Sequence, residues 1–147
     1  MPAQSTDVHD LAAVRLRAHG QRYTRSRRAI VDNLAATDAP VSIPQLLDRD
    51  RSLAQSSTYR NLTELEQAGV VHRIVTADEF SRYELAEDLT EHHHHLICSH
   101  CGDVRDFMVP PGLEQDLDRA LDRIAADHGF TADNHRLDLV GTCATCA

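Results

Sequence analysis

Two matched pairs of cysteines place the strongest constraint on the fold. Cys98 and Cys101 form one Cys-x-x-Cys pair, and Cys143 and Cys146 form another. Each spacing lets two thiolates from a tight turn approach one ion, and four thiolates complete the tetrahedral coordination that zinc prefers. A redox dithiol is the alternative, but two matched pairs favour zinc. Such a site has no open position, so we expect it to be structural and to pin the C-terminal strand to a sheet edge.

A run of four histidines, residues 92–95, lies just before the first cysteine pair. Because successive side chains of a strand point to opposite faces, His93 and His95 are predicted to share one face and His92 and His94 the other. The run can therefore serve two separate metal sites. An engineered tag is the alternative, but this run is internal and continues directly into a Leu-Ile-Cys strand.

Charge divides the chain into two halves. The net charge is -8, yet residues 1–75 hold ten arginines against eight acids, whereas residues 76–147 hold five arginines against fifteen acids. Six arginines crowd into fourteen positions of the first half: Arg15, Arg17, Arg22, Arg25, Arg27 and Arg28. A solvated helix face is the ordinary explanation of such a cluster, but contacts to nucleic-acid phosphates also need these side chains. The two halves are expected to have different roles.

Composition is compatible with one or two small domains, since 41% of the residues are hydrophobic. There is no run of about 18 apolar residues, so no membrane span is predicted. The N-terminus also lacks an apolar signal core, and a cytoplasmic location with reduced thiols is expected.

The first half has the periodicity of helices followed by a hairpin. Spacing and capping residues predict four helices, which begin near Asp7, Thr24, Ser42, and Ser56 or Ser57. Residues 70–76 and 80–85 are rich in strand formers. A hairpin symmetric about Asp78 would place His72 opposite Glu84, on the same sheet face. Helix, turn, helix and hairpin together predict a winged helix.

The second half begins after a short acidic linker, residues 86–90. Strands are predicted at 93–98 and 104–108, around the first cysteine turn, and at 135–140. Between them, an apolar stripe at helical spacing predicts a long helix: Leu113, Leu117, Leu121, Ile124 and Ala125. His93 and His95 could join His72 and Glu84 at the hairpin. The other two histidines of the run could meet His135 and an acid of this helix.

Five segments in order also carry a family resemblance: RYTRSRRAI, SSTYRNLTELEQAGVVHR, RYEL, HHHHLICSHCG and NHRLDLVGTCATC. Over about residues 10–147 the chain resembles the ferric uptake regulator (Fur) superfamily of bacterial metal-sensing repressors. The resemblance implies an α+β fold with an N-terminal winged helix-turn-helix domain (1–86), a hinge (86–91) and a small C-terminal α/β dimerisation domain (87–147). It further implies a homodimer that binds palindromic double-stranded DNA operators when a regulatory metal is bound.

Residues that match the family motifs inherit expected roles in DNA binding. Tyr59 and Arg60 match a pair in the recognition helix, so Tyr59 would pack on thymine methyl groups and Arg60 would contact bases or phosphates. Arg22 matches a basic residue that reaches the minor groove. Arg27 matches an arginine of the second helix and would contact the phosphate backbone.

The resemblance also implies a structural zinc at the four cysteines and a regulatory metal, Fe(II) or Zn(II), at a second site. The expected regulatory ligands are His72, Glu84, His93 and His95. Asp106 matches a carboxylate that joins this site in some relatives. Pro40 stands where many iron-type members have a histidine ligand, so manganese-, nickel-, zinc- and peroxide-responsive members stay open as alternatives.

A third site is implied on the other face of the histidine strand. Its expected ligands are His92, His94, Asp118 and His135. Glu114 lies one helical turn before Asp118 and competes with it for this role.

Two other classes of function fit the sequence less well. A zinc hydrolase or thiol oxidoreductase is disfavoured, because the sequence has no His-Glu-x-x-His or Gly-x-Ser-x-Gly motif and both cysteine pairs are better explained as zinc ligands. A histidine-rich metal buffer would not need the arginine cluster or the Tyr59-Arg60 pair. The sequence therefore predicts a regulator and not an enzyme.

Overall fold

A computed structural model of the chain describes residues 5–77 and 80–147. The first half of this described chain folds into four helices and a two-stranded antiparallel hairpin. These elements are α1 (Ser5–Ala18), α2 (Arg25–Ala35), α3 (Ile43–Arg49), α4 (Gln55–Gln67), β1 (Val71–Ile74) and β2 (Arg82–Leu85). The winged helix predicted from the sequence is therefore present.

Local capping explains where two of the helices begin. Thr24 precedes α2 and its side chain accepts a hydrogen bond from Arg27 N, as predicted. Ser42 and Gln45 form a reciprocal capping box at the start of α3. The prediction for α4 was wrong, because Ala54 is its N-cap and no side-chain cap is seen among the described residues. The hydroxyl groups of the first turn bond back to a carbonyl instead: Thr58 Oγ1 donates to Ala54 O at 2.7 Å.

The core of the first half is built from the apolar faces of its four helices and the hairpin. Its members with no exposed surface are Ala12, Leu16, Ile30, Val31, Leu62, Leu65 and Val70. Leu89 also packs into this core at 4% exposure, although it follows the hairpin. It belongs to a short 3-10 helix, Glu87–Leu89, called the hinge helix here, which occupies the predicted linker. The first part of the predicted hinge is therefore held against the winged helix.

The hairpin has the predicted register. His72 pairs with Glu84 and Val71 pairs with Leu85, so the two polar residues share one face. Both strands are shorter than predicted, and two of the predicted turn residues, Asp78 and Glu79, lie outside the described residues. The second strand is anchored at its other edge, where Tyr83 N donates to Val41 O at 2.7 Å.

The second half contains a three-stranded sheet and one long helix. Its elements are β3 (His94–Cys98), β4 (Val104–Phe107), α5 (Pro111–Asp127) and β5 (Asp138–Gly141). The central strand β3 pairs antiparallel with β4 and parallel with β5. The predicted last strand begins three residues later than expected, which leaves His135 in the loop before β5.

Apolar surface remains uncovered in this half of the described chain. None of the side chains of α5 is buried, and Leu113 and Ile124 are 55% and 54% exposed. Leu139 and Val140 of β5 are exposed as well. Across residues 5–77 and 80–147, no helix combines the length and the apolar character that crossing a membrane requires.

Candidate metal centres and DNA-contacting residues

The four cysteines meet at one edge of the three-stranded sheet. Parallel pairing of Cys98 with Gly141 brings the end of β5 beside the first cysteine turn. All four are free thiols, and their sulfur atoms lie within 4.8 Å of one another. Cys101 Sγ and Cys143 Sγ are 3.8 Å apart. Tetrahedral bonds of about 2.3 Å to zinc require sulfur atoms about 3.8 Å apart, so the spacing fits this ion.

The ionisation of these thiols also suits a cation. Backbone N–H groups of Cys101, Cys143 and His100 lower the pKa of Cys98 to about 6. By contrast, hydrogen bonding with the Cys143 and Cys101 thiols raises the pKa of Cys146 to about 12. Cys98 thus favours the thiolate form that binds a cation, whereas Cys146 needs a bound cation in order to ionise.

A second group joins the hairpin to the sheet and is called the wing cluster: Glu84, His93, His95 and Asp106. Glu84 comes from β2, and its Oε2 lies 2.8 Å from His93 Nε2. His95 Nε2 lies 3.1 Å from the same carboxylate and 3.6 Å from Asp106 Oδ1. The wing cluster therefore joins strand β2 of the first half to strands β3 and β4 of the second half.

His72 was predicted to complete this group, but it lies at its edge. Its Nδ1 is 3.4 Å from Glu84 Oε1. The four atoms that approach one another within 4.8 Å come from Glu84, His93, His95 and Asp106 instead. The structure therefore puts Asp106 in the place that the sequence interpretation gave to His72, because β4 pairs with β3 directly across from His95.

Hydrogen bonds and burial shift the pKa values of the residues in the wing cluster. Burial opposes ionisation of Glu84, but hydrogen bonds with His72, His93 and His95 outweigh it and hold the pKa of Glu84 well below its usual value. The bond to Glu84 raises the pKa of His93 to about 9. Burial lowers the pKa of His95, but the hydrogen bond with Glu84 and its charge outweigh burial, so this pKa is raised. Burial likewise raises the pKa of Asp106.

A third group, called the helix cluster, lies on the opposite face of β3: His92, His94, Glu114 and His135. Glu114 is central, since Oε1 is 2.8 Å from His92 Nε2 and Oε2 is 2.8 Å from His94 Nε2. Burial opposes its ionisation, but the bonds to His94 and His92 prevail and lower the pKa of Glu114 to about 2.

Within residues 5–77 and 80–147, two ring nitrogens of the helix cluster, His94 Nδ1 and His135 Nε2, are buried without an ordinary hydrogen bond. His135 Nε2 is buried and has no partner of hydrogen-bonding geometry among the described residues, although Glu114 Oε1 is 2.6 Å away. A buried imidazole nitrogen that is not hydrogen-bonded costs free energy unless a ligand uses it. Three imidazoles and one carboxylate form a donor set that suits Zn(II), Fe(II) or Mn(II).

The acid of the helix cluster is Glu114, the alternative to the predicted ligand. Asp118, the predicted ligand, lies outside the group. Its Oδ1 contacts the other ring nitrogen of His135, Nδ1, at 3.0 Å. Because α5 begins at Pro111, Glu114 falls in its first turn and faces the histidines, whereas Asp118 lies one turn farther along.

Three histidines of the run have a partner on Nδ1, the ring nitrogen that does not face the carboxylate of their cluster. His95 Nδ1 is 3.3 Å from Asp138, His93 Nδ1 is 2.8 Å from Glu91 O, and His92 Nδ1 contacts Glu87. Such partners fix ring orientation and raise the basicity of a metal-binding nitrogen. The sequence interpretation missed Asp138 and Glu87. The parallel register of β5 on β3, which places Asp138 beside His95, is a tertiary feature.

The predicted DNA-contacting residues divide into exposed and buried members. Tyr59 is 48% exposed near the start of α4, and Arg60 and Arg22 are also exposed. Arg27 is only 8% exposed, and its guanidinium donates to Asn61, Gln21 and the carbonyl oxygen of Arg22. The expected contact of Arg27 with phosphate does not fit this position.

Comparison with known proteins identifies the family. The sequence matches the model of the Ferric uptake regulator family over residues 18–140. The chain belongs to this family. Members of the ferric uptake regulator family are metal-responsive transcriptional regulators, and the α+β fold with a winged helix agrees with the fold of its solved members.

Relatives within the ferric uptake regulator family differ in their named signals. A ferric uptake regulation protein of Rhizobium leguminosarum bv. viciae is 33% identical over 140 residues, covering 92% of this chain and 94% of the relative. The peroxide operon regulator of Bacillus subtilis (strain 168) is 30% identical over 147 residues, covering 95% of each chain. The crystal structure of the Vibrio cholerae ferric uptake regulator is 28% identical, with a TM-score of 0.67 over 87% of this chain and 96% of that one.

Proposed function

We propose that this family member is a repressor of metal-homeostasis genes that binds palindromic operator DNA as a homodimer when its regulatory metal is bound. The observation that carries the proposal is the wing cluster. Glu84 of the hairpin lies 2.8 Å from His93, which directly precedes β3, and 3.1 Å from His95 within β3. An ion at this point would fix the winged helix relative to the second half. Metal binding would then favour one spacing of the two recognition helices in a dimer.

The three groups are proposed to hold different metals. The cysteines would hold structural zinc, because four thiolates close the coordination shell of this ion. The wing cluster would hold the regulatory ion, Fe(II) or Zn(II), through two imidazoles and two carboxylates. His72 would join it by a small ring rotation, since it already contacts Glu84 and its side chain is 25% exposed. The helix cluster would hold a further divalent ion.

Peroxide sensing is a second candidate function. A donor set of two imidazoles and two carboxylates accepts Fe(II), and Fe(II) reacts with peroxide. The relative from Bacillus subtilis, aligned over 95% of this chain, is named a peroxide operon regulator. Loss of DNA binding on addition of peroxide to the Fe(II) form but not the Zn(II) form would favour this function.

The proposed DNA-binding surface is formed by the exposed residues Tyr59, Arg60 and Arg22. Tyr59 and Arg60 lie in the first two turns of α4, the part of a recognition helix that reaches base edges. Residues 76–147, which hold five arginines against fifteen acids, have the wrong charge for phosphate. This asymmetry supports a winged helix that binds DNA and a second half that does not.

The second half is proposed to form the homodimer. Leu113 and Ile124 of α5 and Leu139 and Val140 of β5 are exposed in the single chain, and apolar surface of this kind is usual in interfaces between subunits. We retain the predicted division into a DNA-binding domain (1–86) and a dimerisation domain (87–147). The hinge helix would connect the two domains and stay with the winged helix, because Leu89 at its end packs into that core.

A metal titration of DNA binding tests the proposal. The probe is a duplex recovered by the wild-type protein from a random-sequence pool, and binding is measured by fluorescence anisotropy with Fe(II), Zn(II), Mn(II) or Ni(II). We expect His93→Ala to abolish metal-dependent binding while leaving a folded dimer that retains one zinc per chain. Cys98→Ser should instead release that zinc and lower stability or dimerisation.

His100→Ala is the matched control. His100 is exposed, lies in the same segment and belongs to none of the three groups, so its loss should leave DNA binding unchanged. Undiminished metal-dependent affinity in His93→Ala would contradict the proposed regulatory site. If the wild-type protein binds several metals but no DNA duplex, the proposed function as a DNA-binding regulator would be contradicted, and a metal buffer would be favoured.

A further inference from the structure

Arg27 differs from the other arginines of its cluster. Its side chain is buried at 8% exposure, whereas Arg25 and Arg28, its neighbours on α2, are exposed. Burial removes Arg27 from the surface that would meet a phosphate backbone. An arginine that is kept inside a small domain needs partners for its charge and its donors. Those partners reveal what it does.

The guanidinium of Arg27 connects two separate parts of the winged helix. Nε donates to Asn61 Oδ1 of α4 at 3.0 Å. Nη1 donates to Gln21 Oε1 at 3.1 Å and to the backbone oxygen of Arg22 at 2.8 Å. Asn61 is itself buried at 6% exposure, so this link is inside the protein. One side chain therefore holds both the segment before α2 and the helix α4.

The two parts held by Arg27 are those that carry the exposed DNA-contacting residues. Asn61 directly follows Tyr59 and Arg60 on α4, and the second acceptor is the backbone of Arg22 itself. The backbone of Arg27 is fixed as well, since Thr24 Oγ1 accepts from Arg27 N at 3.2 Å. The guanidinium thus sets the distance between Arg22 and the recognition helix.

We infer that Arg27 is a positioning residue, which holds Arg22 in register with Tyr59 and Arg60 and does not itself contact DNA. The inference rests on the proposed DNA-binding function and deepens it. The planar guanidinium is essential to the role, because it offers several donors in fixed directions. A lysine carries the same charge on a flexible stem and cannot reach Asn61, Gln21 and Arg22 at once.

Arg27→Lys separates positioning from a phosphate contact. If Arg27 holds Arg22 in register with the recognition helix, the Arg27→Lys variant should bind the selected duplex about tenfold more weakly, since hydrogen bonds from a charged group contribute this much. The slope of log affinity against log salt concentration should stay unchanged, because no phosphate contact is lost. If Arg27 instead contacts phosphate, the Arg27→Lys variant should keep its affinity for DNA, and Arg27→Gln should reduce the slope of log affinity against log salt concentration by about 0.9.

Gln21→Ala is a milder variant that leaves α2 intact. It removes one acceptor of the Arg27 guanidinium, so positioning predicts a smaller loss of affinity, about threefold, again with an unchanged slope. A phosphate role for Arg27 predicts no loss. Arg28→Gln is the matched surface control, and a reduced slope in this variant alone would confirm that the measurement detects a phosphate contact.

A measurement without DNA keeps the inference distinct from the proposed function. In the free protein, Arg27→Lys should speed tryptic cleavage after Arg22, because the backbone there loses its anchor, whereas Arg28→Lys should not. Faster cleavage in a protein that binds no duplex would support the internal link and overturn DNA binding. Normal cleavage, together with DNA affinity retained in Arg27→Lys, would overturn the inference and leave the proposed function standing.

Discussion

Ligand geometry at the residue scale depends on which side chain faces an imidazole and which lies behind it. Glu114 and Asp118 both contact His135, but on opposite ring nitrogens, at Nε2 and Nδ1 respectively. Glu114 also contacts His92 and His94, whereas Asp118 has an exposed side chain. The sequence made Asp118 the expected ligand and Glu114, one helical turn earlier, its competitor. The phase of α5 therefore makes Glu114 the proposed ligand, with Asp118 behind His135 as its orienting partner.

Substitution of these two acids should therefore have unequal effects. Glu114→Gln is expected to remove metal from the helix cluster, since it takes away the central carboxylate. Asp118→Asn should weaken affinity by about tenfold to a hundredfold, the usual effect of losing a partner behind a metal-bound histidine. Metal content after graded chelation measures both. Equal losses, or a larger loss in Asp118→Asn, would contradict the geometric assignment.

The wing cluster also predicts a pH dependence of stability in the metal-free protein. Glu84 has a pKa below its usual 4.5, so its contribution is present above that pH and is lost in acid. His93 has its pKa raised from 6.5 to about 9, so its contribution is complete below pH 6.5 and is lost as pH rises to 9. Urea unfolding should thus give a falling free energy of unfolding between pH 6.5 and 9.

His93→Gln isolates this effect, because it removes the titrating group and leaves a polar side chain. The part of the alkaline decline that comes from His93 should disappear in this variant. A decline of the same size in both proteins would assign it to other groups. In the metal-loaded protein the free energy of unfolding should instead fall as the solution is made acidic, because protons compete with the ion for His93.

At the scale of elements, α5 is the one helix of the described chain that does not bury any of its side chains. Its apolar stripe was readable from the sequence, and the helix lies at Pro111–Asp127 as the stripe indicated. Within residues 5–77 and 80–147, no other element buries this stripe, and the partner proposed for it is a second copy of the chain.

Charge placed on α5 should therefore break the dimer without unfolding the chain. Ile124→Glu adds a carboxylate at a position that is 54% exposed in the single chain, so the monomer should keep its fold. Buried in an interface, the same carboxylate would be costly. Light scattering should report a monomer. Leu62→Ala, in the core of α4, is the contrast: it should cost about 2 to 5 kcal/mol of stability and leave the oligomeric state unchanged.

At the scale of the whole molecule, the three groups of ligands meet on one short strand. The wing cluster lies on one face of β3, the helix cluster on the other, and the cysteines at its C-terminal end. An open cleft of about 690 Å³ separates the hairpin from the second half, and its lining includes His72, Glu84, His93 and His95. An ion in the wing cluster would bind residues of both halves across this cleft.

The sequence by itself determined the elements and most of the groups. Periodicity predicted four helices and a hairpin in the first half, alternation along β3 assigned the histidines to two faces, and the two matched Cys-x-x-Cys pairs predicted a four-thiol site. These features depend on residues near one another in the chain or on a repeating period, which a sequence displays directly.

Tertiary structure decided which distant residues complete each group. Asp106 enters the wing cluster through the pairing of β3 with β4, Asp138 supports His95 through the parallel pairing of β5, and Glu114 displaces Asp118 through the phase of α5. Arg27 appeared in the sequence as one of six similar arginines, and only packing of α2 against α4 showed that it points inward. The direction of a side chain depends on the relative placement of whole elements, which is set by the core and not by local spacing.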